Sequence, residues 1–132
     1  MSTIFSKIVN GEIPCYKIAE DDKFFAFLDI SPLAKGHTLV VPKQEVDYIF
    51  DLNDVDYATL LLFAKKIAKA MKQAITCNRI GVAVIGLDVP HAHVHLVPLN
   101  NAMDINFQKE HLSFSEAEMR EIAAKISALV ER

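Results

Sequence analysis

His91, His93 and His95 stand at alternate positions in the run His91-Ala92-His93-Val94-His95, which holds three of the chain's five histidines. In a strand, successive side chains point to opposite faces. This spacing therefore lines up the three imidazoles on one side and turns Ala92, Val94 and Leu96 toward a core on the other. The expected product is a histidine surface on an apolar backing. An unperturbed imidazole titrates near pH ~6.5, and rings side by side resist being protonated together. Such a row is mostly neutral at pH 7, the form that attacks electrophiles or binds metal ions. A solitary histidine carries no such implication, and His111 is read as partly exposed or hydrogen-bonded.

The triad needs a strand to hold it, and the pattern around it supplies several. His93 to Leu99 and Ile80 to Ile85 read as strands joined by the short segment Gly86 to Pro90. Gly36 to Pro42 (GHTLVVP) is β-rich and bounded by Gly and Pro. Lys17 to Ala19 and Phe24 to Asp29 flank the polar turn Glu20-Asp21-Asp22 as a hairpin. From Asn53 to about Ala74 the period becomes helical. Asn53 serves as N-cap, and Leu60, Phe63, Ala64, Ile67, Ala70, Met71 and Ala74 form one stripe. Leu61 and Leu62 lie off that stripe, which points to a second buried contact. Ser115-x-x-Glu118 opens a helix running to about Val130, and Thr3 to Val9 has room for one or two helical turns. The fold class is α+β: an antiparallel sheet of about five strands, a long central helix and a C-terminal helix, in one domain over 1–132.

Charge and composition narrow the partners. Seventeen acidic and fourteen basic residues are spread along the chain for a net −3, leaving no basic stripe to follow a nucleic-acid polymer. A small anion remains possible, since a few local donors hold one phosphate whatever the overall charge. Cys15 and Cys77 form no CxxC pair and are expected to be free thiols in a reducing cytoplasm. The apolar run Leu60 to Ala64 is too short to span a bilayer, so no membrane partner is expected.

HAHVHLVP resembles the His-x-His-x-His motif of the histidine-triad (HIT) superfamily, and IFSKIVNGEIP, FAFLDISP and KGHTLVVPK resemble, in order, the segments preceding that motif in its Hint-type branch. The resemblance runs from about Thr3 to Pro98. It implies a HIT-like fold and a nucleotide hydrolase or transferase that cleaves a nucleoside 5′-phosphoramidate or related phospho-anhydride, with a purine nucleoside phosphate as ligand. It implies that His93 is the nucleophile and forms a nucleotidyl-imidazole intermediate that water hydrolyses. His95 and His37 would contact phosphate oxygens and the leaving group, and His91 would orient the cluster. Asp29 matches the acid that holds the ribose hydroxyls. Ile4, Phe5, Ile8, Phe27, Ile30 and Leu39 match the wall of the base pocket, though any one of them alone would pass as core packing. A homodimer is expected from the branch and from Leu61 and Leu62.

The departures from the branch are as informative. Many bacterial members hold zinc with a CxxC pair, a later histidine and the first triad histidine; here Thr3, Ser6 and Glu45 replace the first three. Structural zinc takes about four good ligands, and hydroxyls are poor ones, so no metal or other cofactor is expected. The loop before the triad is shortened. Ile85 replaces an asparagine, and Asp88 stands where a phosphate-contacting serine would be, a carboxylate that repels phosphate unless aimed at an amine. Two alternatives stay open: a metal-dependent hydrolase or oxygenase using His-x-His, which lacks a nearby glutamate before Glu110, and a nucleotide-binding module with little turnover.

Overall fold

Phe24 to Leu28 is buried at every residue, so its strand must be covered on both faces. The computed structural model, which describes residues 2–131, shows how. The chain runs α1 (Ile4–Val9), β1 (Lys17–Glu20), β2 (Phe24–Leu28), β3 (Thr38–Pro42), α2 (Asp54–Ala74), β4 (Arg79–Ala83), β5 (Val94–Leu99) and α3 (Glu116–Leu129), with short 3-10 turns at Ile49–Asp51 and Ala102–Ile105. The five strands form one sheet in the order β1-β2-β3-β5-β4, every neighbour antiparallel. This is the expected fold class.

One face of the sheet packs on α2 and α3. Phe24, Ala26 and Leu28 of β2, Val40 of β3, and Ala92, Val94 and Leu96 meet the stripe Leu60, Phe63, Ala64, Ile67, Ala70, Met71 and Ala74. The opposite face carries Phe25 and Phe27 of β2 with Leu39 and Val41 of β3, covered by Phe5 of α1. The sequence period of two thus divides each strand between two layers.

The helix signals hold. Asn53 Oδ1 accepts from Asp56 N–H at 2.8 Å and starts α2, and Ser115 and Glu118 make the reciprocal capping box of α3. The strand bounds shift slightly. β5 begins at Val94 rather than His93, and β4 ends at Ala83 rather than Ile85, so the loop before the triad is longer than the sequence pattern indicates. Leu61 is 38% and Leu62 62% exposed on α2. Cys15 and Cys77 are both free, and among the described residues no helix is long and apolar enough to cross a membrane.

Candidate active site

The triad sits on the face of the sheet that α1 covers, with Ala92 and Val94 anchored in the opposite core. The three triad imidazoles line one face as expected, and they and His37 are buried: His37 and His91 are almost fully enclosed, and His93 and His95 are under a tenth exposed. The cover comes from two directions. Phe5 lies edge-on to His93 at 4.9 Å and to His91 at 5.8 Å between ring centroids, and Phe107 lies edge-on to His95 at 4.7 Å.

Most of the buried ring nitrogens have a hydrogen-bond partner, and the partners fix the tautomers. His91 Nε2–H donates to Pro42 O at 2.8 Å, which leaves Nδ1 to accept the Thr3 hydroxyl at 2.7 Å. His93 Nδ1–H donates to the carbonyl of His91 at 2.7 Å, which places the lone pair on Nε2. Leu33 N–H donates to His37 Nδ1 at 3.0 Å, so His37 carries its proton on Nε2 and donates it to His95 Nδ1, also at 3.0 Å. His95 therefore bears its proton on Nε2. Among the described residues neither His93 Nε2 nor His95 Nε2 has a hydrogen-bond partner. The result is one bare acceptor beside one free donor, on rings 4.9 Å apart.

Local backbone explains how His37 reaches this pair. Gly36 has φ +89, which a side chain would strain, and a Cβ there would lie 3.0 Å from Ile75 Cγ1. The turn delivers His37 at the start of β3, while the β3–β5 register sets Leu39 opposite His95.

Desolvation disfavours protonation of His37, His95 and His91. It pushes His37 down to about 3 and His95 to about 4, helped in each case by a neighbouring histidine. His91 is lowered by burial as well, opposed by its bond to Pro42 O and by Glu45. Burial raises the Asp29 carboxyl, an effect offset in part by the Ser31 N–H that Oδ1 accepts at 2.8 Å. Asp29 Oδ2 lies 3.6 Å from His37 Nε2.

A cavity of about 580 Å³ opens in front of the triad. His93 and His95 form part of its wall. So do the residues expected around a nucleotide: Ile4, Phe5, Ile8, Phe27, Asp29, Ile30, Leu39 and Asp88. Ile30 is 77% exposed and contributes from the rim. His37 and His91 stand behind the wall and act on the cavity through His95 and His93. Phe107, Gln108 and His111 complete the wall from a segment in which the sequence showed no functional signal. His111 hydrogen-bonds to Ser31 O, as a solitary histidine was expected to do, yet it also faces the cavity. Leu112 N–H donating to Pro32 O at 2.8 Å ties this segment to the Asp29 loop. No periodicity marks these residues, and only the fold brings them to the triad.

At Thr3, Ser6 and Glu45, which the resemblance matched to zinc ligands, hydrogen bonds connect the side chains. Thr3 Oγ1 donates to His91 Nδ1 and accepts Ser6 N–H at 3.0 Å, and Glu45 Oε1 accepts the Ser6 hydroxyl at 2.7 Å and Thr3 N–H at 2.8 Å. Two hydroxyls, one carboxylate and an imidazole nitrogen already occupied by Thr3 make a poor zinc donor set. Among the described residues the one grouping with metal-ligand spacing is Asp29, His37 and His95, whose ligand atoms lie within 4.8 Å of one another. His37 does not suit that role, because Leu33 N–H occupies Nδ1 and forces the proton onto the Nε2 that would have to bind the ion.

One five-stranded antiparallel sheet thus presents a bare imidazole nitrogen and an imidazole N–H side by side to a largely apolar cavity, the pairing of a nucleophile with a fixed donor. Comparison with known proteins identifies the family. Residues 10–102 match the HIT domain model, and the chain belongs to the histidine-triad (HIT) family. It is 41% identical over 104 residues to an adenosine 5′-monophosphoramidase of Schizosaccharomyces pombe, covering 76% of this chain and 77% of that one. Among solved structures, a HIT-like protein of Bartonella henselae superposes with a TM-score of 0.83 at 32% identity, over 97% of this chain and 96% of the other. A zinc-bound histidine triad family protein of Mycobacterium smegmatis gives 0.83 at 27% identity, over 98% and 94%.

Proposed function

We propose that this chain is a nucleotide hydrolase that cleaves nucleoside 5′-phosphoramidates or related phospho-anhydrides through a covalent nucleotidyl-histidine intermediate on His93. The observation that carries this reading is the His93–His91 contact. By donating Nδ1–H to the His91 carbonyl at 2.7 Å, His93 presents an unprotonated Nε2 to the cavity. The family membership and the phosphoramidase relative support the reaction class.

In this reading His93 Nε2 attacks phosphorus and the substrate's P–N bond breaks, the leaving nitrogen taking up a proton from solvent at the mouth of the cavity as it departs. The ring becomes cationic in the intermediate, and the His91 carbonyl accepting Nδ1–H stabilises that charge. Water then displaces the imidazole and returns the proton, so the site ends as it began. His95 gives its free Nε2–H to a phosphoryl oxygen, a fixed donor in a desolvated place. His37 and His91 are positioning residues: one holds His95 from behind, the other supplies the carbonyl for His93. Asp29 accepts the ribose hydroxyls, and Ile4, Phe5, Ile8, Phe27, Ile30 and Leu39 take the base, for which a purine is proposed.

The Thr3, Ser6 and Glu45 network replaces a metal in holding His91, and the site works without metal or other cofactor. We read 1–132 as one domain, because α3 packs on α2 and β1, and as a cytoplasmic homodimer with its thiols reduced. The test is hydrolysis of adenosine 5′-phosphoramidate by wild type and His93→Ala, with AMP binding measured on both. Turnover should fall by several orders of magnitude while binding largely survives. Near-normal turnover in His93→Ala would overturn the nucleophile assignment. Binding without turnover in the wild type would make the chain a nucleotide-binding module.

A further inference from the structure

The cavity's charge bears on which leaving group it accepts. Its described lining contains no lysine or arginine; the carboxylates are Asp29 and Asp88. Asp29 is already engaged by Ser31 N–H and stands beside His37. Asp88 has no hydrogen-bond or ion-pair partner among the described residues, and it is exposed on the rim. Its backbone is nevertheless held near the triad. Val89 packs against the Phe5 and Phe27 cluster, and His91 N–H donates to Val89 O at 2.8 Å. A short carboxylate so anchored overlooks the space in front of His93.

A ligand that binds here brings at least one ionised phosphoryl oxygen. The imidazole N–H of His95 serves one such group, and no cationic side chain in the wall serves a second. The unpaired Asp88 opposes further negative charge and favours positive charge within the ~10 Å reach of electrostatics in dilute salt.

We propose that Asp88 selects the leaving group, favouring nucleoside phosphoramidates whose amine carries a second, cationic group and disfavouring leaving groups that are themselves anionic, such as a further phosphate or a sulfate. This rests on the phosphoramidate reading above and narrows its substrate class.

The test uses three adenosine 5′-phosphoramidates with chains of matched length, ending in an ammonium, a methyl or a carboxylate. Affinity is measured on His93→Ala, and kcat/KM on the enzyme with His93 intact, each with Asp88 and with Asp88→Asn or Asp88→Lys. Comparing Asp88 with its variants for one compound cancels intrinsic leaving ability. The expected result is a preference of about fivefold for ammonium over methyl and a similar factor against carboxylate, the size of a partly exposed ion pair. The preference should vanish in Asp88→Asn, reverse in Asp88→Lys and shrink in about 0.5 M salt, where the Debye length is roughly 4 Å. Equal affinities and rates across the series, or an order unchanged in Asp88→Asn, would overturn the proposal even if all three compounds are hydrolysed. Ordered binding without hydrolysis would support Asp88 as the selector and overturn the proposed reaction instead.

Discussion

At His93 a single backbone carbonyl decides which nitrogen is available for chemistry; Pro42 and Thr3 likewise fix His91, and Leu33 fixes His37, which in turn fixes His95. The neutral state of these rings has a consequence for stability. His37 and His95 are held at about 3 and about 4, and His91 is also lowered, while the unfolded chain titrates near pH ~6.5. Below that pH the unfolded state binds protons that the folded state refuses. Stability is therefore full above pH ~6.5 and declines as the pH falls toward the folded values, with a slope approaching about 1.4 kcal/mol per pH unit for each such ring. Urea denaturation between pH ~7 and ~5 should show this decline, and His95→Asn should make it shallower; a flat profile would contradict the assigned burial. The alternation of histidines was legible in the sequence, because strand period is a local property, while His93 as nucleophile candidate came from the family resemblance alone. The tautomers were not, since each depends on a partner from another part of the chain.

Element by element, the site is a strand clamped between a short helix and a tail segment. α1 does more than wall the cavity: Thr3 caps it by accepting Ser6 N–H and at the same time donates to His91. Thr3→Val keeps the shape but removes both bonds. It should destabilise the fold by about 1–3 kcal/mol, from a lost cap and an unsatisfied buried nitrogen. It should lower kcat more than it raises KM, because His91 shifts the carbonyl that orients His93, and Thr3→Ser should restore both. Unchanged melting and kinetics in Thr3→Val would show that α1 does not position the triad. The sequence revealed the caps of α2 and α3 and the stripe of α2 through their spacing. It gave no sign of the wall formed by Phe107, Gln108 and His111, because an irregular segment has no period and its role arises from docking on the Asp29 loop.

For the molecule as a whole, the uncovered apolar surface favours self-association. β4 is an edge strand that packs beside α2; Val82 on the strand is 60% exposed, and the off-stripe Leu61 and Leu62 on the helix are exposed as well. Pairing two copies across this edge would satisfy the open strand and cover those side chains. A stable dimer should bury about 1,200 Å² or more in total. Sedimentation at micromolar concentration should find dimers, and Leu62→Glu should shift the population toward monomer; monomer alone in the wild type would refute the proposed assembly. The overall architecture was legible because both sheet faces are written in the strand pattern, whereas the proposed second copy had only two off-stripe leucines to suggest it. The central claim concerns a bond rather than a shape, and the most direct test is to trap it. Wild-type protein mixed with a radiolabelled adenosine phosphoramidate and quenched in alkali within milliseconds should yield an acid-labile adenylyl adduct mapping to the peptide that contains His93, with none on His93→Ala. Hydrolysis that proceeds at the normal rate with no such adduct, or an adduct on a different residue, would contradict the account.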